Sequence, residues 1–345
     1  MSRNIYCNPR LLIDGREVKS LISASFSDAG NNQISSLSAK FSEPDLENSS
    51  LFNKKIEYYL NYGSDDSYPL FRGYIKNYNA TDIGFAIKAL DVRTLISGKD
   101  SFPVVIDNKK NYDGQTIIQF LIDVIENELD LDEGLSTSAT NDMDKPIYMT
   151  GYRGRKPVYD VLTTSLKNYI DSDDILLPQS YFIDVINEGM DSSIVIKKNI
   201  DVNTRTDMVL SYFDGIKTLK YIKRASPSFA LAETVGGEQV KFQYGNAPSG
   251  KLGFVINKKY SSRGEAHEAL IPHVISRQGS EIDIILTTSK GHYLSIGNII
   301  SLNVKDNNIQ GSFRVTSKNI NYGKEGLQCT LRLNKVPNKL SDYIN

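Results

Sequence analysis

Residues 298–334 read NIISLNVKDNNIQGSFRVTSKNINYGKEGLQCTLRLN and contain three strands in succession, each cleanly alternating. Ile300, Leu302 and Val304 point one way while Ser301, Asn303 and Lys305 point the other. Phe313 and Val315 alternate with Arg314 and Thr316, and Leu327, Cys329, Leu331 and Leu333 alternate with Gln328, Thr330, Arg332 and Asn334. A period of two with one apolar face predicts an antiparallel sheet, buried on one side and wet on the other.

The same order of parts occurs near the N-terminus. KIEYYLNYG sets Ile56, Tyr58, Leu60 and Tyr62 against Glu57, Tyr59 and Asn61; a polar loop follows, then a strand entered through Gly73 and another entered through Gly84, with Phe85, Ile87 and Ala89 on one side. In the C-terminal stretch Gly311 and Gly326 occupy the matching places. Two similar β units in one chain, residues 56–91 and 300–333, predict a duplicated architecture.

Between them the period changes. In DGQTIIQFLIDVIENELD the residues Ile117, Phe120, Leu121, Val124, Ile125 and Leu129 are spaced for one buried helical stripe, with Asp113 as the expected N-cap and an acidic run, 126–133, leading out. A second helix starts at Pro157 and carries Val158, Val161, Leu162, Leu166, Tyr169 and Ile170. SYFIDVI and SSIVIKK, joined through Asn187, Glu188 and Gly189, read as a strand pair, and strands continue to KFQYG. A last helix is expected at about 262–277, kinked or ended early by Pro272. The domain reading is therefore a first β-barrel domain at 1–102, an α/β insertion at 103–200, and a second β-barrel domain at 201–345, whose helix packs on the insertion. The fold class is mixed β: two antiparallel tube-like β barrels with a small α/β middle domain.

At 345 residues, 40% hydrophobic and 23% charged, with a formal net charge of −1, the chain has neither the global basicity of a nucleic-acid binder nor the charge excess of a disordered tail. Cys7 and Cys329 are its only cysteines, too few for a disulfide framework or a zinc cluster, and Cys329 falls on an apolar strand face as an inert buried thiol. No apolar run reaches the length of a membrane span and the N-terminus lacks a signal-peptide core, so the expectation is a soluble protein made in the cytoplasm, with no membrane insertion.

Motifs with chemistry fail one by one. HEALIPH places His267 and His273 six apart where a zinc-protease helix needs four, Ile271 takes the required place, and His292 is remote. DLDEG at 130–134 has its glycine one position early for a calcium loop. GYRGRKP at 151–157 lacks the Lys-Ser/Thr pair and preceding strand of a phosphate loop. The carboxylates of DSDD at 171–174 follow a helix directly and read as a polar turn. Lys217, Lys220, Lys223 and Arg224, with only Tyr221 beside them, read as a wet face. No nucleophile, base and orienter assemble, so no catalytic residue, metal ligand or cofactor site is assigned and the chain is expected not to be an enzyme.

The segment RGEAHEALIPHVISRQGSEIDIILTTSKGHYLSIGNIISLNVKDNNIQGSFRVTSKNINYGKEGLQCTLRLNK resembles the C-terminal part of phage baseplate hub proteins, the family of late control protein D and of the hub half of VgrG spikes. The shared pattern is a helix, a long strand, a loop with glycine before the next strand (SIGNIISLNV), a glycine with an aromatic (GSFRV) and an alternating terminal strand (LQCTLRL). YPLFRGYIKNYNATDIGFAIKALDVRTLISG is similar to the family's first barrel, and DGQTIIQFLIDVI and GRKPVYDVLTTSLKNYI fall where the family has two helices between its barrels. The sequence departs in Pro272 and in ending at Asn345 without the needle domain that follows in VgrG.

The resemblance implies a structural tail hub: a homotrimer whose six barrels face a sixfold tail tube or distal tail protein on one side and a trimeric central spike, as a separate protein, on the other. Other baseplate proteins would surround it, DNA would pass through its channel, and the chain would reside in the virion tail baseplate after assembly in the host cytoplasm. The channel wall is expected to be polar, with Ser301, Asn303 and Thr316 as candidates for the lining and the 217–224 basic cluster away from the axis. Two other readings stay open: a β-rich cell-wall glycan-binding or hydrolase module, disfavoured by the missing carboxylate pair, and a hexameric distal tail protein, disfavoured by two β units per chain.

Overall fold

A computed structural model describes residues 7–29, 33–42, 50–60, 68–81, 84–97, 112–125, 148–149, 157–168, 181–188, 191–198, 208–211, 215–223, 229–243, 253–278, 282–304 and 309–335. The fold is β-rich with few helices, and its main sheet is curled and antiparallel except for one parallel pair. The chain divides into two compact units. The first comprises residues 1–166, 181–198 and 317–330; the second comprises residues 167–180, 199–316 and 331–345.

In chain order the first unit holds β1 (Arg10–Ile13), β2 (Arg16–Glu17), β3 (Leu21–Ala29), β4 (Ser36–Phe41), β5 (Lys55–Tyr59), β6 (Phe71–Thr81), β7 (Gly84–Asp91), α1 (Thr94–Ser97), α2 (Ile117–Asp123), most of α3 (Val158–Asn168), β8 (Tyr181–Glu188) and β9 (Asp191–Lys198). The second holds β10 (Met208–Leu210), β11 (Ile216–Lys223), β12 (Phe229–Thr234), β13 (Gln239–Gln243), β14 (Gly253–Tyr260), α4 (Arg263–Gln278), β15 (Ile282–Thr288) and β16 (Ile299–Val304). The last two strands, β17 (Ile309–Gly323) and β18 (Gly326–Lys335), give residues to both units.

Within the first unit the strand order is β17-β3-β4-β7-β6-β5-β1-β2. Each strand obeys the pleat: Ala24 and Phe26 on β3, Leu37, Ala39 and Phe41 on β4, Ile56 and Tyr58 on β5, and Phe85, Ile87 and Ala89 on β7 are buried. In register, Ile320, Phe26, Leu37, Ala89 and Ile75 form one apolar row across five strands. Ring packing of Phe26 on Phe71 (5.9 Å) and of Phe41 on Phe85 (5.8 Å) extends that core.

Two glycines let neighbouring strands approach where a Cβ would not fit. A Cβ on Gly73 would stand 2.1 Å from the Leu90 carbonyl oxygen, and one on Gly84, whose φ is +136°, 2.1 Å from that of Phe41. Gly73 is the third residue of β6 and Gly84 the first of β7; Gly311 and Gly326 hold the third and first places of β17 and β18. The repeat of parts expected from the sequence thus extends to the strand positions of its glycines.

The helices differ in detail from the sequence expectation. The N-cap of α2 is Thr116, not Asp113: its hydroxyl accepts from the Gln119 amide (3.2 Å) while the Gln119 side chain accepts from the Thr116 amide (3.1 Å). This reciprocal box satisfies two amide donors at once, which a lone aspartate three residues upstream cannot do. Ile117, Phe120, Leu121, Val124 and Ile125 are buried as expected; Leu129 and the acidic run lie outside the described residues. The Pro157 carbonyl accepts from the Val161 amide (3.1 Å), so α3 begins where proline placed it. Helix α4 runs through Pro272 to Gln278 instead of ending there. Its buried residues Ala266, Leu270 and Val274 pack on Ala230, Ala232, Val240 and Tyr260, so its partner is the β13-β12-β14 sheet, where the sequence had suggested residues 103–200.

In the second unit β11-β15-β18 run side by side, and β16 joins β10, parallel, to β17, antiparallel. Ile300, Leu302, Val304, Phe313, Val315, Cys329, Leu331 and Leu333 are all buried, so the alternation read from 298–334 is the alternation of the fold.

Candidate functional site

The first unit carries two polar features: a buried ionic clamp behind the sheet and a wet face in front of it. The clamp begins at the end of β7. The Arg93 guanidinium grips the Asp91 carboxylate with Nε at 3.1 and 3.0 Å from its two oxygens and NH2 at 2.5 Å from Oδ2, and both side chains are 4% exposed. It also donates to the Ser35 hydroxyl (2.7 Å) and, through NH1, to the Ile183 carbonyl on β8 (2.9 Å). Ser35 in turn donates its hydroxyl to Asp28 Oδ1 (2.7 Å) and its amide to Asp91 Oδ2 (2.8 Å).

Burial works against the Arg93 charge, but Asp91 outweighs it and the guanidinium stays protonated. Burial, with Asp184 adding to it, lifts the Asp28 carboxyl above its ordinary value, against Arg93, Ser35 and Lys318. Burial likewise lowers Lys318, which pairs in register with Asp28 and lies 5.7 Å from the Phe26 ring centroid, and pushes the Tyr159 hydroxyl up to about 12. At the far end of the β8–β9 hairpin Arg72 repeats the device. It binds Glu57 (2.7 Å), Ser192 Oγ (3.2 Å) and the Asp191 carbonyl. Two buried arginines therefore pin the hairpin to the sheet by both ends.

The wet face is a groove of about 480 Å³ over β17, β3, β4, β7 and β6. The register lines up Asn321, Ser25, Ser38, Lys88 and Asn77 as one polar row across all five strands. Beside it Ser23, Lys40, Ala86 and Asn79 form a second row. Lys40 and Lys88 are exposed, and no carboxylate lines the groove. A bulge between Ile75 and Asn77 turns the end of β6 so that Asn77 and Asn79 join this face.

The residues singled out from sequence fare differently. Asn303 is exposed on β16 opposite Gln310, and Ser301, half-buried, pairs with Ser312. Thr316 donates its hydroxyl to the Arg332 carbonyl (3.1 Å), so it ties β17 to β18. Lys217 and Lys220 are exposed on β11, while Arg224 and the motifs at 130–134, 151–156 and 171–174 lie outside the described residues. His267 is exposed with its ring edge on Phe242 (5.4 Å), and His292 sits in a 3₁₀ turn against Tyr293 (5.2 Å), so the structure does not bring these two histidines to one site. Among the described residues no group of three or more His, Cys, Asp or Glu side chains is placed to hold a metal ion, and no helix is long and apolar enough to cross a membrane. The Ser-Asn-Lys groove went unseen in the sequence; its only trace is polar alternation in LISASFSDA and SLSAKF.

No protein-family model matches this sequence, and no curated protein matches it. Solved structures do. The tail protein from Neisseria meningitidis MC58 superposes with a TM-score of 0.67 at 11% identity, covering 95% of this chain and 96% of that one. The 43 kDa tail protein of prophage MuSo2 from Shewanella oneidensis gives 0.66 at 11% identity over the same shares. The Escherichia coli c3393 protein, a component of the type VI secretion system, gives 0.55 at 9% identity, covering 95% of this chain and 77% of that one. From end to end, this chain has the fold of these phage tail and type VI secretion proteins.

Proposed function

We propose that this protein is a structural subunit of the tail baseplate of a phage or a phage-tail-like contractile injection system. The observation that carries the reading is whole-length correspondence: nearly all of this chain and nearly all of two tail proteins follow one path. Three copies form a ring, each contributing one tube-like domain from residues 1–102 and one from 201–345, with 103–200 inserted between them. Closure of the ring covers strand edges that would otherwise be open to aggregation. The ring joins a sixfold tail tube to a separate trimeric spike, contacts other baseplate proteins, and lets DNA through its centre. Its role is mechanical, without a catalytic step.

Deleting the gene from the source particle tests this. The expected outcome is loss of complete particles, with tube and spike proteins left unjoined, and restoration by the gene supplied in trans. Normal particles from the deletion would contradict the reading.

A further inference from the structure

We propose that the groove formed by the Asn321–Ser25–Ser38–Lys88–Asn77 row and by Lys40 is a sequence-indifferent contact for the phosphate backbone of duplex DNA. The ligand class rests on the tail-particle reading; the site rests on the groove's own chemistry. Lys40 and Lys88 lie on adjacent strands, with Lys88 opposite Ser38 and Lys40 opposite Ala86, so they are diagonal neighbours on one face. Such neighbours are about 7–8 Å apart, close enough to serve one stretch of backbone. Neither lysine has a carboxylate partner among the described residues, and the groove lining offers none.

The rest of the lining decides between occupants. A protein interface centres on aromatic, Met or Arg anchors and is depleted in Lys, Ser and Ala, whereas this groove is lined by Ser, Asn, Lys and Ala apart from Ile87 and Tyr322. Serine hydroxyls, asparagine amides and lysine ammoniums are the groups that donate to phosphate oxygens. Stacking on unpaired bases needs exposed aromatic faces. The one aromatic of the lining, Tyr322, pairs in register with Ala24 on the core side of the sheet. The groove thus favours a duplex held by its backbone. With two cations, the contact is weak and salt-labile, so a duplex is held in place yet free to slide.

The test is fluorescence anisotropy of a labelled 30-base-pair duplex of mixed sequence with the purified full chain. Two neutralised phosphates predict a slope of log affinity against log salt of about −1.8, or roughly a tenfold loss between 50 and 200 mM salt. Lys40→Gln with Lys88→Gln should abolish binding and leave the thermal melt unchanged, since both side chains are exposed; Lys40→Arg with Lys88→Arg should retain it. Lys217→Gln with Lys220→Gln should bind as the parent does.

Undiminished binding by the Gln pair, or no binding at 20 mM salt, would overturn the assignment. Equal affinity for poly-glutamate at matched charge would also overturn it and point to an acidic protein as occupant. Each result leaves the baseplate role standing, since that role is tested by particle assembly and not by DNA.

Discussion

Arg93 holds Asp91, two residues before it, through both carboxylate oxygens, and with the same guanidinium reaches the Ile183 carbonyl 90 residues away. One side chain therefore joins the end of β7, the start of β4 and the β8–β9 hairpin. Taking two charges out of water is costly, and the geometry recovers that cost only while both partners are present. Arg93→Met leaves Asp91 buried and unpaired and should destabilise the fold by about 3–5 kcal/mol. Arg93→Met with Asp91→Leu should cost clearly less than the sum of the two single changes. Urea denaturation followed by far-UV circular dichroism reads both values, and an additive double mutant would contradict the clamp.

Gly73 and Gly84 meet backbone oxygens where a Cβ would stand, so neither neighbour can yield by rotating a side chain. Alanine at either position should cost about 2–3 kcal/mol or more, by overpacking at Gly73 and by overpacking with backbone strain at Gly84. Gly311, with φ +135° but open space around it, isolates the strain component and should cost less than Gly84. Denaturation midpoints of the three variants check the order.

Half-buried Asp28, facing buried Lys318 in register, gives a pH signature with a definite sign. The Asp28 carboxyl is raised above its ordinary 3.8, chiefly by desolvation, so the native chain holds that proton to higher pH than the unfolded chain does. Its contribution is fully present below pH 3.8 and is lost as pH rises through the raised value. Asp28→Asn removes this titration, so the parent's stability relative to the variant should fall from pH 4 upward. A relative gain for the parent over that range would mean that Arg93 and Lys318 hold Asp28 ionised.

Cys329 is fully buried, and desolvation pushes its thiol up to about 12, while Cys7 is half-buried near the start of the first unit. At pH 8 the native chain should therefore release one equivalent of thionitrobenzoate from Ellman's reagent, and two in guanidinium. Two equivalents from the native chain would show that β18 opens readily.

The C-terminal meander was legible because its strands alternate large apolar with polar residues: Ile300, Leu302 and Phe313 announce their face. β3 was less so, because in LISASFSDA Phe26 is the one large residue of the buried side and Ala24 differs little in size from the serines opposite, whereas SLSAKF alternates Leu37, Ala39 and Phe41 with Ser38 and Lys40 over only six residues. The groove was out of sight, since it exists only once register aligns Asn321, Ser25, Ser38, Lys88 and Asn77, residues up to 296 apart in the chain. Thr316, a polar position by alternation, also donates its hydroxyl to the Arg332 carbonyl, a partner that alternation alone cannot reveal. Pro272 sits in α4 without ending it, and Thr116 in place of Asp113 caps α2, because helix ends are set by which amides find acceptors.

Electron cryomicroscopy of the purified particle tests the central claim most directly. The account predicts three copies of this chain in one ring between the tail tube and the spike, with two β domains per copy alternating around a near-sixfold axis. Six copies in the ring, or a particle whose tube and spike meet without this chain, would contradict it.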